Sequence, residues 1–108
     1  MDITKTETSV SWIYDGKPCT YSGEKIELCR HMAQYEAVAV LDSGTLYAYN
    51  YNGLIRFIVR AEGPTAFSVR DVLPNGYIIC YYPNLPGRLY TCVIDWQTGT
   101  MQMKVRYE

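Results

Sequence analysis

Cys29 and His31, in "CRH" at 29–31, place a thiol two positions from the chain's only imidazole. A thiol nucleophile needs a base within hydrogen-bond reach. If residues 24–35 wind into a helix, as argued below, these side chains leave it in opposed directions and form no dyad. The four cysteines, Cys19, Cys29, Cys80 and Cys92, include no CxxC pair, and with one histidine they lack structural-zinc spacing. No metal and no cofactor is expected. The chain has no nucleotide-binding glycine pattern and no G-x-S-x-G elbow. Among the carboxylates, Glu24 and Glu27 fall on the wet side of the expected helix. Asp71 is the one acid on a face expected to be buried, where its pKa would rise, and it is the single candidate for acid–base work.

A second group of residues suggests recognition rather than reaction. "TLYAYNYNGL" (45–54) has a tyrosine at every second position, Tyr47, Tyr49 and Tyr51. In a strand all three leave one face. An Asn52-Gly53 turn sets Tyr49 opposite Arg56 and Tyr47 opposite Ile58, with Arg60 further along and Ala37 and Ala39 as small neighbours. An Asn75-Gly76 hairpin repeats this character by setting Arg70 against Tyr81. Such a face has three physical readings. It is a half-exposed surface where Arg stacks on Tyr, a subunit interface anchored by these residue types, or a cavity whose hydroxyls and guanidinium orient an anionic ligand. The favoured function is a small binding domain holding a small, partly aromatic or anionic ligand on Tyr47, Tyr49, Tyr51, Arg56, Arg60, Arg70 and Tyr81. The alternative is a non-enzymatic interaction protein that uses the same face for homodimerisation or a protein partner.

The elements that position these residues follow from turn spacing. "YDGK" (14–17) supplies a type I′ turn that pairs Tyr14 with Lys17, Trp12 with Cys19 and Val10 with Tyr21. "EKIELCRHMAQY" (24–35) is rich in helix formers. At helical spacing Tyr35, Leu28, Met32, Cys29, Ala33 and Ile26 fall in one arc, with Glu24, His31, Glu27, Gln34 and Arg30 opposite. A helix is predicted there, capped by Ser22. Strands follow at 36–41, the tyrosine stretch, 54–60, 66–73, 77–82, 88–95 and 100–107, with "EGP" (62–64) as a break. "DSG" (42–44) reads as a three-residue loop, and "WQTG" (96–99) as a four-residue loop pairing Ile94 with Met101, Cys92 with Met103 and Tyr90 with Val105. The expected architecture is one α+β domain over residues 1–108. It is a strongly curved, barrel-like antiparallel meander of about nine strands, with one amphipathic helix packed on its aliphatic face.

Composition narrows the partners. The net charge is −1, which disfavours a duplex nucleic acid. The N-terminus "MDITKTETSV" lacks the basic-then-apolar signature of a signal peptide, and no apolar run is long enough to span a bilayer. A cytoplasmic location with reduced thiols and no membrane partner is expected.

"GTLYAYNYNGLIRF" (44–57) resembles a repeat hairpin of the quinoprotein-type β-propellers, and "RLYTCVIDWQTGTM" (88–101) resembles it more loosely. The shared residues are turn glycines and strand aromatics. A propeller needs four or more blades, which 108 residues cannot build. The resemblance therefore implies tight hairpins at these two places.

Overall fold

A computed structural model of the chain describes residues 1–60 and 67–107, so the break expected at 62–64 and the start of the strand expected at 66 lie outside the described residues. Eleven strands occur among the described residues, in three antiparallel sheets. The first sheet holds β1 (Thr4–Lys5), β2 (Ser9–Tyr14) and β3 (Lys17–Ser22). The middle sheet is a meander of β4 (Ile26–Met32), β5 (Ala37–Asp42), β6 (Thr45–Asn50) and β7 (Ile55–Val59). The last is a second meander of β8 (Ser68–Val72), β9 (Ile78–Tyr81), β10 (Leu89–Ile94) and β11 (Met101–Arg106).

The sheets stack face to face with two seams between them. In one, Val10, Trp12 and Cys19 of the first sheet meet Ile26, Val38 and Val40 of the middle sheet. In the other, Ala39, Leu46, Ala48 and Phe57 meet Val69, Ile78, Cys80 and Ile94 of the last sheet. Each seam contains one buried tryptophan. Trp12 donates its Nε1–H to the carbonyl of Tyr51 (2.8 Å). Trp96 donates to the carbonyl of Gly76 (2.8 Å) and stacks on Tyr35. Strand β5 belongs to both seams, and every residue from Ala37 to Asp42 is buried.

This architecture corrects the α+β expectation. Among the described residues no helix packs on a sheet, and none of the sheets closes into a barrel. Residues Ile26–Met32 form β4, and only Ala33–Tyr35 turn, as a single 3-10 turn. The reason is burial on two sides. Leu28 and Met32 face the last sheet, while Ile26 and Cys29 face the first. A bulge at Glu27 moves Ile26 off the face of Leu28. Apolar positions 26, 28, 29 and 32 then coincide with a helical arc although the backbone is extended. Arg30, the residue that argued against a strand, lies at half-buried depth and donates its Nε–H to the carbonyl of Val72 (2.8 Å).

Registers separate into those that follow the turn residues and those that bulges change. The first hairpin pairs as expected, with Asp15 and Gly16 both at positive φ. The "DSG" loop is instead a two-residue turn, Ser43-Gly44, with φ of 50° and 83°, so Asp42 opposes Thr45. This one-residue slip sets Val38 against Tyr49 and Val40 against Tyr47, and Ala39 against Ala48. The tyrosines therefore share their face with valines rather than alanines. In the next hairpin Tyr47 opposes Ile58 and Ala48 opposes Phe57 as expected, but Arg56 bulges out and Tyr49 opposes Ile55. Segments 44–57 and 88–101 occupy the same place in their sheets, the junction of third and fourth strands.

The strand assignment at β4 is tested by far-UV circular dichroism with two substitutions. The spectrum should show β structure without a helical double minimum. Met32→Ala, at a fully buried site, should cost about 2–4 kcal/mol. Glu27→Ala, at the exposed bulge residue, should leave the melt unchanged. A helical spectrum would overturn the assignment.

Candidate functional site

The residues expected to form one Tyr/Arg surface lie in three separate places. Tyr47, Tyr49 and Tyr51 pack into the seam with the first sheet. Tyr21 lies 5.1 Å from Tyr47 and 5.9 Å from Tyr49 between ring centroids, and Trp12 lies 5.9 Å from Tyr49. The Tyr51 hydroxyl and His31 Nε2 share a 2.7 Å hydrogen bond. Burial, helped by the neighbouring Tyr47, raises the pKa of Tyr49. These rings join two sheets, and this use of aromatic area explains their alternation.

Arg56 is elsewhere. As the bulge residue of β7 it leaves the ladder, and its guanidinium meets four acceptors: Asn50 Oδ1 and the carbonyls of Tyr35, Glu36 and Trp96, at 2.6–3.1 Å. It ties the 3-10 corner of the middle sheet to the β10–β11 loop of the last. An open groove of about 220 Å³ lies beside it, bordered by Tyr14, Glu36, Asn50, Tyr51 and Asn52. Ligand pockets usually run to roughly 300–1,000 Å³ and enclose most of the ligand. Arg60 is exposed and borders a shallow cleft with Ile58, Phe67 and Met101.

Arg70, Tyr81 and Asp71 form the third place, on the outer face of the last sheet. The Arg70 guanidinium lies 4.7 Å from the centre of the Tyr81 ring. Arg70 is the bulge residue of β8, so Val72 opposes Ile78, Asp71 opposes Ile79, and the expected Arg70–Tyr81 pair is not formed. The bulge removes Asp71 from the buried face expected for it. Its Oδ1 accepts from the neighbouring backbone N–H of Val72, and among the described residues no imidazole or second carboxylate joins it. Among the described residues no group of three or more His, Cys, Asp or Glu side chains converges.

Sequence reasoning missed two features. One is Asp42, the single buried charged residue among those described. Its carboxylate accepts from Tyr21 Oη (2.6 Å), from the backbone N–H groups of Glu24 and Lys25, and from Ser43 Oγ. A Cβ at Gly23 would strike this carboxylate and the Tyr21 ring. Burial alone would raise the pKa of Asp42, but the hydrogen bonds outweigh it and lower the value. Every donor comes from this chain, so the group fastens the first sheet to the end of β5. The signal available was an acid at the end of an apolar run.

The other missed feature is larger. Met101 opposes Ile94 as expected, but Gln102 bulges and the register slips, so Met103 opposes Val93 and Val105 opposes Thr91. Met103, Val105 and Tyr107 then join Ile79, Leu89 and Val93 on the outer face of the last sheet. Lys104 turns the other way and lies over the Tyr82 and Tyr90 rings. The expected Cys92–Met103 and Tyr90–Val105 pairs are therefore not formed, and Met103 is 56% exposed and Val105 53%.

A carboxylate held below its usual pKa stabilises the fold above the ordinary carboxylate range, and this contribution is lost as pH falls through the lowered value. The parent should therefore lose stability on acidification. Asp42→Asn should be weaker by on the order of 1–3 kcal/mol at neutral pH and should show a shallower acid dependence. Parallel pH–melting curves for the two proteins would count against this role. No family model, curated protein or solved structure matches the chain.

Proposed function

We propose that the chain is a non-enzymatic interaction protein that docks a further β-sheet onto the outer face of its last sheet. The observation that carries this reading is the Gln102 bulge, which aims Met103 and Val105 outward beside Ile79 and Val93. The result is an exposed aliphatic strip, Met103 and Val105 beside Val93, on a face that also carries Thr91, Asp71 and the buried Ile79; exposed apolar surface marks interaction sites when it is large. The opposite end of the stack supports the assignment by contrast. There the outer face of the first sheet carries Ser9, Ser11, Pro18 and Thr20, with Ile13 as its one large apolar residue. The tyrosines and Arg56 are engaged in joining sheets, which argues against their holding a small ligand.

The same reading places the protein in the cytoplasm. No helix among the described residues is long and apolar enough to cross a membrane. Support comes from the cysteines, all four of which are unpaired, with Cys19, Cys80 and Cys92 buried. Thiol titration of freshly purified protein in denaturant without reductant should count four; two or none would remove this support.

The docking surface is tested with an environment-sensitive hydrophobic dye at high dilution, where assemblies have come apart. The parent should enhance its fluorescence. Val105→Lys and Met103→Lys should reduce the signal several-fold while melting within a few degrees of the parent, because both positions are exposed. Equal signals from all three folded proteins would overturn the reading.

A further inference from the structure

We infer that Asn52 is a self-modification site. It converts to aspartate and isoaspartate through attack by the backbone nitrogen of Gly53, while the same dipeptide at Asn75-Gly76 is held back by the fold. The inference is independent of the docking reading above. An asparagine side chain closes onto the next backbone nitrogen most readily when glycine follows, because glycine has no Cβ to obstruct the approach and its backbone turns freely. The Gly53 nitrogen gives its proton to solvent base and bonds to Asn52 Cγ, and ammonia leaves. The cyclic imide that results then takes up a water molecule. Opening at Cγ leaves aspartate. Opening at the main-chain carbonyl leaves isoaspartate, in which the chain runs on through Cβ and Cγ. Nothing is oxidised or reduced, and no cofactor takes part.

The two Asn-Gly turns are built alike, so their surroundings decide which one reacts. In each the glycine N–H donates to the carbonyl three residues back, Gly53 to Asn50 and Gly76 to Leu73, both at 2.9 Å. Asn52 and Asn75 are both exposed, and each Oδ1 accepts the backbone N–H two residues on, from Leu54 (3.1 Å) and Tyr77 (3.0 Å). At the second turn three successive carbonyls are clamped. Gln34 Nε2 donates to Pro74 (2.7 Å), Tyr35 Oη to Asn75 (3.4 Å) and Trp96 Nε1 to Gly76 (2.8 Å). Gly76 is also buried, with Tyr35 and Trp96 so close that a Cβ would strike both. Turning its nitrogen towards Asn75 Cγ would break these bonds where water cannot replace them. At the first turn only the Tyr51 carbonyl is held, by Trp12 Nε1 (2.8 Å) and Cys19 Sγ (3.7 Å). Among the described residues the Asn52 and Gly53 carbonyls accept no hydrogen bond, so ring closure there costs little beyond the turn's own bond. The product acts on the seam between the first and middle sheets. Isoaspartate at 52 inserts a methylene directly after Tyr51, whose carbonyl holds Trp12. Aspartate keeps the backbone and its acceptor.

Peptide mapping by mass spectrometry of the full chain, aged in mildly alkaline buffer, tests this. In the folded protein the amide-to-acid mass gain should accumulate several-fold faster at Asn52 than at Asn75. In denaturant the two sites should convert at comparable rates. Equal rates in the folded chain would overturn Asn52 as the site, and an unchanged difference in denaturant would overturn the fold as its cause. Trp96→Phe removes the donor to the Gly76 carbonyl. With circular dichroism unchanged, it should speed Asn75 and leave Asn52 as it was; an unmoved Asn75 would overturn the clamp. The isoaspartyl fraction, separated by chromatography, should melt below the parent, whereas Asn52→Asp should melt like it, because position 52 is exposed. An isoaspartyl fraction as stable as the parent would overturn the coupling to the seam.

Discussion

Strand β5 has no solvent side, and the rest of the fold is arranged around this fact. Its six residues, Ala37–Asp42, are all buried. Val38 and Val40 contribute to one seam, and Ala37, Ala39 and Leu41 to the other. A strand covered on both faces must be apolar along its length rather than alternating, and "AVAVL" meets that requirement. The division between large and small residues then decides what each side accepts. The valine side lies beside the tyrosines and receives Trp12 and Tyr21. The alanine side leaves room for the Trp96, Tyr82 and Phe57 cluster. Where the run ends, Asp42 is tolerated at buried depth because four donors converge on it.

The parts legible in the sequence were those fixed by local turn chemistry. Asp15-Gly16 specified the first hairpin in full, whereas the pairs expected from Asn52-Gly53 hold from Ala48 and Phe57 outward and fail next to the turn, where Tyr49 opposes Ile55. The errors arose where two physical solutions share one pattern. Apolar residues at 26, 28, 29 and 32 satisfy a helical arc, and they equally satisfy a strand with a bulge and two buried faces. Helix-forming residues then tipped the balance, although tertiary packing overrides such propensities routinely. "DSG" admits a loop of two residues or three, and choosing three put the tyrosines beside alanines. The covering of the tyrosines was itself readable. With Trp12 opposite Cys19 and Val10 opposite Tyr21, alternation puts Trp12 and Tyr21 on one face of the first hairpin, an aromatic surface in need of an opposite number.

Bulges decide where this molecule presents chemistry to its surroundings. Side chains alternate with a period of two, so one inserted residue exchanges the faces of everything beyond it. At Arg56 the insertion frees a guanidinium from the ladder to gather carbonyls from two sheets. At Arg70 it turns Asp71 away from the core. At Gln102 it sends Met103 and Val105 outward and folds Lys104 inward over two rings. None of these insertions has a composition signal of its own. The fold class was therefore open to error by one element, whereas the location of the candidate surface was open to error by a single residue.

The two tryptophans give the layered arrangement an optical consequence. Trp12 belongs to the seam between first and middle sheets, and Trp96 to the seam between middle and last, each buried and each hydrogen-bonded to a backbone carbonyl. Intrinsic emission therefore carries one reporter per seam, and replacing either tryptophan by phenylalanine isolates the other. Because β5 contributes side chains to both seams, pulling one layer away strips solvent protection from the strand that supports the other. The two reporters should consequently trace a single coincident denaturation curve, the mark of a stack that comes apart as one cooperative unit rather than leaf by leaf.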